Sequence, residues 1–401
     1  LKVAVIGGGA AGFFATLSVK HNHPQAEVIL CEKSNKLLSK VKVSGGGRCN
    51  VTHDAMERSY LIEHYPRGRS FLKKAFHQFQ VADTIDWFQS RGVELKVEED
   101  GRMFPTTNDS QTIIDCFMSE AEKTGVRILT GITIERLVPE KGRWRLIHSE
   151  GELKMDKIIV ATGGSPKATG FQWLEELSIP IVPPVPSLFT FNLKDKAICA
   201  LAGVSKSNVD VRIQGTKFQT DGAVLITHWG FSGPAVLKLS AFAARELAER
   251  SYTFDVRLRW LGQYDEETWR QSEEWQDLLA SKKQVLNLSP PDVPLRLWDF
   301  LLDRVDIHPE KRWIDLSRKE KNRLVNVLTN DVYEAKGKTT FKEEFVTAGG
   351  VDLSAINPNT CGCKNHEGLY FAGEVLDIDG VTGGFNFQAA WTTAWIAGQL
   401  K

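Results

Sequence analysis

The stretch KVAVIGGGAAGFFATLSVK, residues 2–20, decides how the chain is read. Lys2–Ile6 is an apolar run of strand length, and Gly7-Gly8-Gly9-Ala10-Ala11-Gly12 is a G-x-G-x-x-G that opens a helix running to about Lys20. Gly7 permits the tight turn, Gly9 lets backbone approach a pyrophosphate, and Gly12 lets helix and strand pack closely. Ala10 and Ala11 start the helix, whose free amides and positive dipole end favour phosphate. Glu27–Cys31 is a second apolar strand, and Glu32 follows it about 20 residues after Gly12, where an acid accepts the ribose hydroxyls. The glycines alone are a weak signal, compatible with a turn beside an unrelated glutamate. Strand, helix and acid in register predict a dinucleotide site.

The rest of the composition agrees with an ordinary globular chain. Its 401 residues are 42% hydrophobic and 25% charged, enough for two or three domains. Lys plus Arg (50) balance Asp plus Glu (50), so no net field draws the chain to nucleic acid or an anionic membrane. Six scattered cysteines do not make a disulfide framework and point to a reducing, cytoplasmic setting. Val3–Val19 is uncharged, but its glycines and length do not suit a membrane span, and no other stretch approaches about 20 apolar residues. The chain opens on Leu1 rather than Met, as expected if a residue or more is missing from its start.

Strand-like and helix-like segments alternate over the first 165 residues, which predicts an α/β sheet with helices packed on it. Ile179–Pro186 (IPIVPPVP) holds four prolines and reads as a stiff connector. Beyond it, Phe189–Leu193, Val209–Ile213, Ala223–Ile226 and Tyr252–Leu258 are β-like, and residues 262–330 are helical. The expected organisation is a split nucleotide domain (1–185 and 345–401), an inserted β-rich domain (186–261 and 331–344) and a small helical domain (262–330).

Near the end of the chain, Leu369-Tyr370-Phe371-Ala372-Gly373-Glu374 is an apolar strand ending in Gly-Glu. A loop over 375–382 then leads to Gly383-Gly384-Phe385-Asn386-Phe387 and a final helix at about Gln388–Leu400. Such a helix aims its N-terminal amides at a ligand, and a reduced flavin carries negative charge that suits it. The alternative is a helix that merely docks on the sheet. Ala161-Thr162-Gly163-Gly164 follows another strand, and Ser44-Gly45-Gly46-Gly47-Arg48-Cys49-Asn50 offers backbone for close passage against a planar ligand. Lys40, Lys42 and Arg48 could face the pyrophosphate or a developing flavin anion, or form a solvated basic loop.

Here the chain resembles the bacterial flavoproteins related to aminoacetone oxidase and the 3-dehydro-bile-acid reductases. The resemblance rests on GGGAAG (7–12), SGGGRCN (44–50), GRMFP (101–105), THWGFSGPA (227–235), TAGGV (347–351) and GLYFAGEVLDIDGVTGGFNFQAA (368–390). It implies a glutathione-reductase-type FAD-binding Rossmann domain split in sequence, an inserted β-rich domain and a small helical domain. It also implies bound FAD and oxidoreductase chemistry on a small molecule. Lys33, Ile134 and Asp377 complete the expected cofactor set. The inserted domains are expected to close a substrate cavity over the flavin.

One segment departs from the family pattern. Thr360-Cys361-Gly362-Cys363-Lys364 and His366 form C-x-C-x2-H, but structural zinc wants four ligands and none is evident nearby, so the reading is a surface turn and no metal. Cys49 reads as a small buried residue rather than a redox thiol, because no second cysteine lies close. His228 is the candidate proton donor or acceptor, and together with Arg48 makes the expected catalytic pair; the competing reading is a histidine that holds its loop by hydrogen bonds. Arg102 and Phe104 either line the substrate side or belong to a strand edge. No second G-x-G-x-x-G follows, so NAD(P)H would act only as a transient reductant from an improvised site. The expectation is an FAD-dependent oxidoreductase. Its rivals are a flavin-dependent RNA-modifying enzyme and a flavin-binding redox sensor without turnover.

Overall fold

Five apolar segments, Lys2–Ile6 (β1), Glu27–Cys31 (β2), Arg127–Leu129 (β3), Lys157–Val160 (β4) and Leu369–Phe371 (β5), pair in parallel in the order β5-β4-β1-β2-β3. Val5 sits between Leu30 and Ile159, fixing the central register. Val3, Ala4 and Val5 are fully buried, as a parallel strand covered on both faces must be. The structure is a computed structural model and describes residues 1–339 and 346–401.

The opening helix, Ala10–Asn22, packs against the closing helix, Phe385–Ala397. Their contact is close because Gly398 carries no Cβ, which would lie 2.4 Å from Ser18 Cβ. Phe14 anchors an aromatic core between them, 4.5 Å from Trp87 and 5.3 Å from Trp391 in ring centroids. The closing helix starts three residues earlier than its sequence predicts. Asn386 pins the turn by hydrogen bonds to both the N–H (2.8 Å) and the C=O (2.9 Å) of Gly380, which lets helix begin at Phe385.

IPIVPPVP is not a free connector. Ile181–Ser187 is a strand that pairs antiparallel with Val346–Val351. The register shifts between Val182 and Val185, so Pro183 and Pro184 fall in the irregularity, where their missing N–H groups interrupt no ladder bond.

The chain divides into two compact units, Leu1–Ser187 with Phe341–Lys401 and Leu188–Thr340. In the second, six antiparallel strands between Thr190 and Thr339 close a barrel. The helices of 262–330, expected as a domain of their own, share one hydrophobic core with that barrel: Phe231, Val256 and Trp260 belong to the same buried cluster as Trp269, Trp298 and Trp313. Trp298 and Trp313 stack with ring centroids 5.9 Å apart. The expected boundary at 344/345 lies outside the described residues.

Candidate functional site

The loops that leave the carboxyl ends of β2, β1, β4 and β5 carry Glu32, Gly7–Gly12, Ala161–Gly163 and Gly373–Glu374 in that spatial order. Open α/β sheets bind ligands along this edge. Gly7 has φ +112°, and a Cβ on it would lie 2.4 Å from Ala161 O; a Cβ on Gly12 would lie 1.8 Å from Gly7 O. Those two glycines are therefore explained by packing. Gly9, Gly46, Gly47 and Gly163 have nothing within 4 Å of a Cβ position, so open space lies over each. The opening helix has no acidic residue in its first turn, where Ala10 and Ala11 lead, leaving its amide end suited to phosphate.

Glu32 is oriented by the turn itself: Oε2 accepts the Gly8 N–H at 2.7 Å and Oε1 the Ser34 N–H at 2.8 Å. Lys33 beside it is exposed. Ile134 lies farther along, paired with His148 in an antiparallel sheet. The backbone next to Glu32 is that of Ile132, whose N–H donates to Glu32 O at 3.0 Å, and Gly131, whose N–H donates to Ser34 O at 3.3 Å.

At the other end, Gly45, Gly46 and Gly47 all take left-handed backbone after Ser44. Gly45 rests on Phe104, 2.8 Å from where a Cβ would be, while the next two glycines face open space. Arg48 does not point into that space. Its guanidinium pairs with Glu98 at 2.5 Å and lies 3.9 Å over the Phe104 ring. Phe104 is fully buried in the strand Arg102–Pro105, and Arg102 pairs with Asp100 at 2.7 Å, so GRMFP supports the glycine run from beneath. Cys49 is buried, and burial pushes its thiol up to about 12, against the Ser44 hydrogen bond. The Asn50 amide donates to Thr52 O (2.9 Å) and accepts from Gly384 N (3.0 Å), tying this run to the C-terminal glycine turn.

Phe385 is buried at the start of the closing helix, and its ring stacks with His53 (4.7 Å) and His64 (4.1 Å), which also stack with each other (6.0 Å). Tyr65 Oη donates to Phe385 O at 2.7 Å, and Phe387 stacks on Trp391 at 5.4 Å. Lys40 Nζ pairs with Glu374 Oε2 at 2.6 Å, and Glu374 Oε1 accepts the Thr347 N–H at 2.9 Å. The Asp377 N–H donates to Val351 O. The structure thus gathers most of the expected cofactor residues onto one edge of one unit.

His228 lies in the other unit, exposed in the turn before the strand Gly230–Ser232. It does not hold that turn. Thr227 does, its Oγ1 donating to Gly230 O (3.0 Å) and accepting from the Trp229 and Gly230 N–H groups. Cys361 and Cys363 are buried rather than on a surface turn, because Phe371 N–H donates to Cys361 O and Cys363 N–H to Leu369 O beside β5. Burial raises both thiols. His366 Nε2 meets Leu177 O at 2.7 Å, and no group of three or more His, Cys, Asp or Glu residues able to hold a metal occurs among the described residues.

Three features escaped the sequence. His53, at the end of the strand Thr52–His53, and His64, just after the helix Arg58–Glu63, form one stacked ring cluster with Phe385. Asp379, fully buried, takes a two-pronged ion pair from Arg67 and the Ser187 hydroxyl at 2.7 Å; burial pushes its carboxyl up while Arg67 opposes that shift. Thr347 is fully buried, and its hydroxyl has no hydrogen-bond partner among the described residues. The TAGGV block quoted Thr347, but nothing in its spacing shows an unsatisfied hydroxyl.

An extended dinucleotide fits this edge: an acid at β2, a glycine turn with free amides at β1, uncovered glycines at β4 and after Ser44, and a lysine–carboxylate pair at β5. The family described as HI0933-like protein Rossmann domain matches residues 1–400. A 3-dehydro-bile acid delta(4,6)-reductase of Clostridium scindens is 26% identical over 416 residues, covering 99% of this chain and 98% of that protein. Ribosomal RNA dihydrouridine synthases of Haemophilus influenzae and Escherichia coli are each 29% identical over 405 residues, covering 98% of this chain and 96% of those proteins. Among solved structures, 3-ketosteroid delta1-dehydrogenase from Sterolibacterium denitrificans superposes with a TM-score of 0.52 at 12% identity, covering 99% of this chain and 98% of that one. That likeness shows the fold. No helix among the described residues is long and apolar enough to cross a membrane.

Proposed function

The chain belongs to the HI0933-like Rossmann-domain family and is an FAD-dependent oxidoreductase; from that premise we propose that it reduces a carbon–carbon double bond conjugated to a carbonyl. The observation that carries this reading is chemical. Relatives covering nearly the whole chain are named for a delta(4,6)-reductase of a 3-dehydro acid and for the synthesis of dihydrouridine. Both names describe saturation of a C=C bond polarised by a carbonyl. Such a reduction adds a hydride equivalent at the β carbon and a proton at the α carbon.

When bound, FAD supplies the two-electron chemistry, with NAD(P)H as transient reductant. The protein supplies placement and charge. Glu32 would accept from the adenosine ribose, and the Gly7–Gly12 turn would present amides to the pyrophosphate. Glu374, held by Lys40 and the Thr347 N–H, would accept from hydroxyls of the flavin half. The amide end of the closing helix would offset negative charge on the reduced ring. Arg48, engaged with Glu98 and Phe104, positions the glycine run in this reading.

A small-molecule enone is the first substrate class, in keeping with the balance of 50 basic and 50 acidic residues. A uracil ring in RNA is the second, favoured by 29% identity over 405 residues to the two dihydrouridine synthases. The test is anaerobic. FAD-loaded protein is bleached with NADH or NADPH and then offered a 3-oxo-Δ4 steroid or unmodified ribosomal RNA. Reoxidation with stoichiometric saturated product from either supports the reductase, and the arm that reacts names the substrate class. Bleaching by neither nicotinamide, or no reoxidation by either acceptor, favours a redox sensor.

A further inference from the structure

Resting on the FAD reading above, we propose that Thr347 is a cofactor-binding residue whose hydroxyl hydrogen-bonds the flavin half of the coenzyme. Thr347 begins the TAGGV segment of the strand Val346–Val351 and is fully buried. Its backbone N–H is satisfied by Glu374 Oε1 at 2.9 Å, yet its Oγ1 has no hydrogen-bond partner among the described residues. An unpaired buried hydroxyl is a cost that a folded protein normally avoids.

The place of this orphan atom gives its meaning. Gly164, in the loop after β4, faces it directly: a Cβ there would lie 2.5 Å from Thr347 Oγ1 and 2.7 Å from Glu374 Oε1. Any larger residue at 164 would displace both polar groups. Gly163 beside it has open space over it. The cluster of Thr347, Glu374 and Lys40 therefore stands at the β4–β5 end of the binding edge, on the far side of β1 from Glu32 at the β2 end. With the ribose at Glu32 and the pyrophosphate at the β1 turn, the chain of the coenzyme reaches this cluster with its flavin half. A hydroxyl of the ribityl chain or a polar edge of the ring is the partner that Oγ1 lacks.

This assignment has a signature that a structural threonine lacks. Thr347→Val keeps the shape and removes the hydroxyl. In the apoprotein it takes away an unsatisfied polar group, so the melting temperature stays level or rises. In the FAD complex it removes a hydrogen bond, so FAD binds about 3- to 10-fold more weakly. ADP, which carries only the adenosine half, binds equally to both proteins, and Thr347→Ser restores FAD affinity to within about twofold. Affinities are read by fluorescence titration of full-length apoprotein, with the flavin absorption spectrum as a second readout. Equal FAD affinity and spectrum in Thr347→Val and wild type would overturn the assignment, as would equal weakening of FAD and ADP or a destabilised apoprotein. If wild-type apoprotein bound ADP but not FAD, the FAD reading itself would fail, a result distinct from all of these.

Discussion

Lys40 Nζ lies 2.6 Å from Glu374 Oε2, joining the helical segment Ser39–Gly47 after the second strand to the turn after the last across 334 positions of sequence. The pair is asymmetric. Lys40 is about half exposed, whereas Glu374 is mostly buried and also accepts the Thr347 N–H. An exposed partner adds little, about 0–1 kcal/mol. Lys40→Met should therefore leave the apoprotein melting temperature within a few degrees of wild type. Glu374→Ala removes the acceptor for both neighbours and should cost most of the FAD occupancy after reconstitution, read as the ratio of flavin to protein absorbance. Equal occupancy in both variants contradicts the asymmetry.

Glu32 is held by the Gly8 and Ser34 amides with its carboxylate at the β2 end of the edge. Glu32→Arg places a cation against those donors and the ribose site. The purified variant should be colourless after incubation with FAD. Yellow protein at wild-type occupancy contradicts the placement of the adenosine.

The fold was legible in the sequence where one local pattern sufficed. Lys2–Ile6 and Glu27–Cys31 are strands from apolar runs alone, and the roles of Gly7 and Gly12 are met by contacts at 2.4 and 1.8 Å. Reading failed where a distant partner decides the outcome. IPIVPPVP looks like a connector until Val346–Val351 pairs with it. Arg48 looks like a ligand-facing cation until Glu98 and Phe104, some 50 positions away, take it. His228 sits in a specific block, yet Thr227 does the hydrogen bonding there, and it takes the fold to stack His53 and His64 on each other and on Phe385. Thr347 is the sharpest case, since an unsatisfied atom has no sequence signature.

Cys49 sits in the glycine run with its thiol pushed up to about 12 by burial. The thiolate is the reactive form, so at pH 8 this residue should resist alkylation in the native protein. Mass-spectrometric footprinting with iodoacetamide should leave Cys49 unmodified until denaturant is added, and Cys49→Ala should retain flavin reduction by NAD(P)H. Rapid native labelling, or loss of reduction in the variant with FAD still bound, returns the redox-thiol reading.

In the second unit, Ser317 and Glu320 cap the helix Arg318–Thr329, and Lys311 meets both Glu320 oxygens at 2.8 and 2.9 Å. Lys311 and Ser317 hold the Glu320 carboxyl down, from 4.5 to about 2. A depressed carboxylate stabilises the fold above its unfolded value, and that contribution disappears as pH falls from about 4.5 toward 2. Glu320→Gln should lower stability at pH 7 by about 0.5–1 kcal/mol in urea unfolding. The difference should shrink steadily below pH 4.5 and vanish near pH 2. A pH-independent difference rules out the ion pair as its source.

The crystal structure of the FAD complex asks the central question most directly: whether the two ends of the chain form one cradle for one coenzyme. One cradle requires adenine ribose density at Glu32, pyrophosphate over Gly9, and the flavin half reaching Glu374 and Thr347 with the closing helix at its ring. A coenzyme running the other way, or one held without contact to the segments 347–351 and 373–387, contradicts it.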